Sequence, residues 1–150
     1  MDTDRIEKKV ILRAPRSLVW RAIASAEEFG KWFGVKLEGT FQPGATIRGK
    51  ITHPGYEHVT LEMQVERIKP EKYFSYRWHP YAIDPAVDYS TEPTTLVEFH
   101  LDDSDSGVLL TIVESGFDRI PLARREQAFR MNDGGWTQQA QNITRHVSQP

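Results

Sequence analysis

The hydrophobic positions of this chain change period several times, and each change marks a predicted element. Ile6, Lys8, Val10 and Leu12 alternate with Glu7, Lys9, Ile11 and Arg13, which predicts a strand with one mostly apolar face. Ala14-Pro15 breaks it, and Pro15 suits the first position of a helix, where its missing N–H costs nothing. Val19, Ala22, Ile23 and Ala26 follow at helical spacing and give that helix a buried stripe. Ser25 with Glu28 three residues on forms a capping box, so a second short helix is predicted from there towards Trp32.

From Val35 the period becomes two. Val35, Leu37 and Phe41 face one way, Pro43-Gly44 turns, and Ile47, Gly49 and Ile51 carry the return strand. His53-Pro54-Gly55-Tyr56 connects to Val59, Leu61, Met63 and Val65, the clearest half-buried strand. A turn at Lys69-Pro70-Glu71-Lys72 leads into Phe74, Tyr76 and Trp78. After a long loop come Thr95, Val97, Phe99 and Leu101, then a polar turn from Asp102 to Gly107, and a last strand from Val108 to Gly116. Leu122, Phe129, Trp136, Ile143 and Val147 recur near helical period and predict a C-terminal helix, which Gly134-Gly135 either interrupts or only thins.

The fold class that follows is α+β: a curved antiparallel sheet of six or seven strands around a long C-terminal helix, with two short helices after the first strand. A sheet with one apolar face must cover it, and that helix is the longest element available. The sheet is wider than one helix, so it curls, and a curled sheet gripping a helix leaves space between them. That space is the natural ligand site.

Val19-Trp20, Lys31-Trp32-Phe33, Glu114-Ser115-Gly116-Phe117 and Gly135-Trp136, in this order of elements, resemble the activator of Hsp-90 ATPase homologue family. That family belongs to the START-like, or SRPBCC, helix-grip superfamily, and the resemblance covers roughly residues 5 to 148. It implies a helix-grip fold with an internal cavity for hydrophobic or amphipathic small molecules, lipids included. It supplies no shared catalytic motif. The resemblance is to the C-terminal domain of the eukaryotic co-chaperone, without that protein's separate N-terminal domain.

Composition narrows the picture. A chain of 150 residues suits a single START-like domain over 1–150. Its net charge of −2, with acids and bases interleaved, excludes the clustered positive face of a nucleic-acid binder. With no cysteine, disulfides, thiolate catalysis and thiolate metal sites are excluded. Met1-Asp2-Thr3-Asp4-Arg5 has no apolar leader core, and no apolar run is long enough to span a bilayer, so a cytoplasmic location is expected.

The chain has no phosphate-binding Gly-rich loop, no dinucleotide fingerprint and no Gly-x-Ser-x-Gly elbow, and no cofactor is implied. His53 and His58 flank a turn but lack a third ligand, so no metal site is assigned. Asp102 to Gly107 resembles a calcium loop, yet the twelfth position from Asp102 is Val113, not the required Glu. The pocket candidates are the inward aromatics Trp32, Phe33, Phe41, Tyr76, Trp78, Phe99, Phe129 and Trp136, with Met63 and Asn132. Plain core is the competing reading for each ring. Trp78 and Trp136 stand out because a buried indole N–H needs a partner.

If the cavity performs chemistry, the acid–base candidates are His79, at a strand end, and Glu114, on the inward face of its strand. The loop from Pro80 to Pro93 carries Tyr81, Ile83, Val87 and Tyr89 and is expected to be a lid, a homodimer contact or a plain mobile loop. Arg119, Arg124, Arg125 and Arg130 read as a solvated helix face. The expected function is binding of a hydrophobic or amphipathic small molecule. The alternatives are a co-chaperone-like or stress-related interaction module and a cyclase- or hydrolase-like enzyme.

Overall fold

A computed structural model describes residues 4–148; Met1 to Thr3, part of the segment read for a leader, lie outside the described residues. The chain runs β1 (Arg5–Leu12), α1 (Arg16–Ala24), α2 (Ala26–Phe33), β2 (Val35–Glu38), β3 (Thr46–Ile51), β4 (Thr60–Lys69), β5 (Tyr73–Trp78), β6 (Thr95–Ser104), β7 (Gly107–Ser115) and α3 (Leu122–Ser148). A single 3₁₀ turn, Phe117–Arg119, precedes α3. The strands form one antiparallel sheet of seven in the order β1-β7-β6-β5-β4-β3-β2, so β2 to β7 meander and β1 joins beside the last strand. The sheet curves around α3 in a helix-grip fold, as the hydrophobic pattern requires. In β4 the register slips between Val65 and Arg67, a bulge that sharpens the local bend.

Ser25 ends α1 and caps α2, its hydroxyl accepting a hydrogen bond from the Glu28 backbone N–H at 3.3 Å. Pro15 stands at the N-cap of α1, one position before its predicted place. Gly34 takes a left-handed φ of 93°, which turns the chain from α2 straight into β2. Gly30, one turn earlier, lies so close to this strand that a Cβ there would overlap the Val35 carbonyl. Together these glycines hold Trp32 and Phe33 against the open end of the sheet.

The α3 helix is unbroken over 27 residues, so Gly134-Gly135 does not split it. Tertiary packing of Ala128, Trp136, Ile143 and Val147 outweighs the weak propensity of two glycines. Leu122 departs from the predicted stripe: as the first residue of the helix it is 79% exposed. β6 also runs further than expected, since Asp102 and Asp103 pair with Leu109 and Val108, leaving only Asp105-Ser106 as the turn. No helix among the described residues is long and apolar enough to cross a membrane.

Candidate functional site

Alternation along β7 sends Glu114 to the same face as Leu110 and Ile112, into the interior, where it is fully buried. Four side chains converge on it. Trp136 Nε1 donates to Oε1 at 2.8 Å, Trp78 Nε1 to Oε2 at 2.7 Å and Thr95 Oγ1 to Oε2 at 2.6 Å. Asn132 Nδ2 donates to both oxygens, at 2.9 and 3.2 Å. No cation is among these partners. Burial pushes the Glu114 carboxyl above its ordinary pKa, while the bonds from Thr95, Trp78, Trp136 and Asn132 pull it back. The carboxyl ties β5, β6, β7 and α3 at one point.

Tyr76 lies beside this cluster, its ring 5.3 Å from that of Trp78. Its hydroxyl is buried and has no hydrogen-bond partner among the described residues. Burial pushes its pKa well up, with the Glu114 charge adding to the effect. An unpaired buried hydroxyl is a cost, so Tyr76→Phe is expected to leave thermal stability unchanged or to raise it by up to about 1 kcal/mol. A melting curve that drops by several degrees would show that the hydroxyl has a partner.

Above the Glu114 cluster a cleft of about 770 Å³ opens between α3, the end of α2, the 52–59 connection and the 79–93 loop. Its floor is aromatic, made by Trp32, Phe33 and Trp78, and Ile51, Val59 and Leu61 extend the apolar wall. The opposite wall is polar and comes from α3: Asn132, Gly135, Gln138, Gln139 and Asn142. Their amides form a directed chain, Gln138 Nε2 to Asn142 Oδ1 at 3.0 Å, Asn142 Nδ2 to Gln139 Oε1 at 3.0 Å, and Gln139 Nε2 to the Phe33 carbonyl at 2.9 Å. Among the described residues no lysine or arginine lines the cleft, and Glu62 is the one acidic lining residue. A Cβ on Gly135 would meet nothing within 4 Å, so the missing side chain does leave space here.

Trp32, Phe33, Trp78 and Asn132 line this cleft, whereas the other predicted pocket residues are not among its lining. Phe41, Met63, Tyr76, Phe99 and Trp136 are 5% exposed or less and belong to solid core. Phe41 packs on Phe74 at 4.9 Å and Phe99 meets Trp136 at 6.0 Å, so these rings interlock rather than fringe a hollow. Phe129 packs on Phe117 at 5.2 Å, away from the cleft. The aromatic rings pack inside the grip, and the cleft opens at one end of it.

Of the loop residues, Tyr81, Ile83 and Tyr89 line the cleft, while Val87 points elsewhere and is 44% exposed. The loop is ordered by one residue misread as solvated. Arg124, on the first turn of α3, bonds Glu92 at 2.6 and 2.8 Å and the Pro80 carbonyl at 2.8 Å, joining both ends of the loop. Its guanidinium also lies over the Tyr89 ring, 4.8 Å from the centroid. Tyr81 is held at a φ of 52°, an uncommon conformation for a residue with a side chain.

The two acid–base candidates fare differently. Glu114 is fully buried beneath Trp78 and Asn132, and both of its oxygens accept hydrogen bonds from protein donors. His79 lines the cleft, but its Nε2 faces the Glu92 carbonyl at 3.0 Å. A carbonyl only accepts, so Nε2 carries the proton and Nδ1 alone is free to act as a base. Near the rim, His58 Nε2 lies 3.3 Å from the Ile83 carbonyl and His53 packs on Tyr56, and no group of three or more metal-ligating side chains gathers among the described residues.

Sequence reasoning missed Thr95 and, beyond Asn132, the amide wall. The signal for the wall was present: Asn132, Gly135, Gln139 and Asn142 recur at spacings of three and four, the same helical face. Thr95 carried no such signal, because only the sheet register brings it beside Glu114.

Solved structures share this architecture. Protein MLL2253 from Mesorhizobium loti superposes with a TM-score of 0.76 at 22% identity, over 96% of each chain. Protein NE0264 from Nitrosomonas europaea gives 0.74 at 20%, over 99% of this chain and 97% of that one. The Aha1 dimer from Colwellia psychrerythraea, known in solution, gives 0.70 at 14%, over 95% of each. No curated protein gives a significant sequence match. A family model described as "Activator of Hsp90 ATPase homolog 1-like protein" matches residues 13–148, nearly the whole chain, and the chain belongs to that family.

Proposed function

We propose that the protein binds an amphipathic small molecule in the cleft between α3 and the 79–93 loop. The observation that carries this reading is the pairing, in one groove of about 770 Å³, of an aromatic floor with a wall of side-chain amides. Ligand sites combine just such an apolar surface with a few fixed polar groups, at volumes of roughly 300 to 1,000 Å³. Trp32 and Trp78 report on occupancy directly, because both line the cleft.

The test is a screen of amphipathic compounds read by tryptophan fluorescence and melting temperature. A ligand at a hundred times its Kd should add about 2.7 kcal/mol of stability. Gly135→Leu provides the control. Leucine restores helix propensity worth about 1 kcal/mol and projects into open space, so the variant should melt higher and lose binding. Ligands that bind Gly135→Leu as tightly as the parent chain would place the site elsewhere.

A further inference from the structure

Glu114 decides what the inner end of the cleft has to offer. Its carboxyl accepts the indole N–H of Trp78, so Trp78 shows the cleft only its hydrocarbon ring. The Trp32 indole N–H is likewise turned inward, to the Ala22 carbonyl at 2.7 Å. Asn132 gives its amide nitrogen to Glu114, and an amide so oriented must turn its carbonyl oxygen the other way. Among the described residues no hydrogen bond is made to that oxygen, and Asn132 lines the cleft. The inner end therefore offers the π-faces of Trp32 and Trp78 and the Asn132 carbonyl oxygen, with both indole N–H groups turned inward.

Two further observations bear on charge. Among the described residues no lysine or arginine lines the cleft, and Glu62 at the rim is already paired with Arg48 at 2.7 Å. Beneath the floor lies the Glu114 carboxyl itself. An anionic ligand would lose its water here and find no lysine or arginine to pair with.

We infer that the cleft selects an uncharged aromatic ligand bearing a hydroxyl or amino donor, which is given to the Asn132 carbonyl oxygen, and that it rejects carboxylates. This rests on the binding reading above and names its ligand class. Asn132 is the specificity residue; Glu114 is a positioning residue that fixes which end of the amide faces the ligand. The discrimination has a physical basis: an analogue lacking the donor leaves a desolvated acceptor unpaired.

The experiment titrates 2-naphthol, 2-methoxynaphthalene and 2-naphthoate into the full chain at pH 7, following the tryptophan indole resonances by NMR. At this pH the naphthol is neutral and the naphthoate ionised. The naphthol is expected to bind about fivefold to tenfold tighter than its methyl ether, the effect of one neutral hydrogen bond, and more than tenfold tighter than the naphthoate. In Asn132→Leu the difference in affinity between the naphthol and the methyl ether should disappear. Equal affinity of naphthol and ether in the parent chain, or a preference for the naphthoate, overturns the donor assignment while leaving the cleft a binding site. If none of the three moves the Trp32 and Trp78 resonances, the binding reading fails and takes this inference with it.

Discussion

Replacing Glu114 by leucine is expected to lower the unfolding free energy by about 4 kcal/mol, the largest effect of any single substitution considered. The change strands two indole N–H groups, a threonine hydroxyl and an asparagine amide that all donate to this carboxyl. Each unpaired buried donor costs about 1 to 3 kcal/mol, partly offset by relaxation and by the added apolar contacts. Urea denaturation measures it; a loss below about 1 kcal/mol would mean that water reaches the cluster and replaces the carboxyl.

The same residue gives the protein a pH signature. Burial raises the Glu114 pKa in the folded state above its value in the unfolded chain. The folded protein then holds this proton more tightly, so the contribution to stability is full below the ordinary carboxyl pKa. It is lost progressively as the pH rises towards the raised folded-state value. Glu114→Gln has no such proton. Its stability deficit relative to the parent chain should therefore be greatest near pH 4 and shrink by neutrality, with the other carboxyl groups cancelling between the two proteins. A deficit that instead grows with pH would show that the four donors outweigh burial.

Arg124→Ala is expected to cost about 3 kcal/mol, the second largest effect. The pair it makes with Glu92 is largely shielded, with side chains 18% and 16% exposed, and the variant leaves Glu92 without its counter-charge. It also frees the Pro80 carbonyl and uncovers the Tyr89 ring, so both ends of the 79–93 loop lose their tie to α3. Limited proteolysis should cut within this loop in the variant long before the parent chain is cut anywhere. If the loop stays resistant, its own contacts, such as the Asp84 N–H to Tyr89 hydroxyl bond, hold it without the clamp.

Local patterns made the fold readable. The N-cap at Ser25 and the alternation from Leu61 to Val65 each act over a few positions, and the structure keeps them. What depends on register was not readable. Alternation shows that Glu114 faces inward, yet only the pairing of β5, β6 and β7 brings Trp78 and Thr95 to it. Where the cleft lies was not readable for a related reason. Large rings were expected to leave gaps, but Phe29, Phe74 and Phe99 meet edge to face and in stacks, a geometry that fills volume well. Arg124 looked solvated because its neighbours in sequence are charged, whereas its partners come from a distant loop.

The pairing of the first strand with the last has a consequence for biosynthesis. Arg5 lies opposite Ser115, and the Asp4 carboxylate accepts a hydrogen bond from the Asp118 backbone N–H, 114 positions away. Ile6, Val10 and Leu12 leave the ribosome before every other strand of this sheet, and their partner β7 follows only after all the rest. At roughly 5 to 20 residues per second the nascent chain spends several seconds with this adhesive strand unmatched. Closure of the sheet is thus a late, entropically expensive event, and it marks the interval in which this polypeptide is most exposed to self-association.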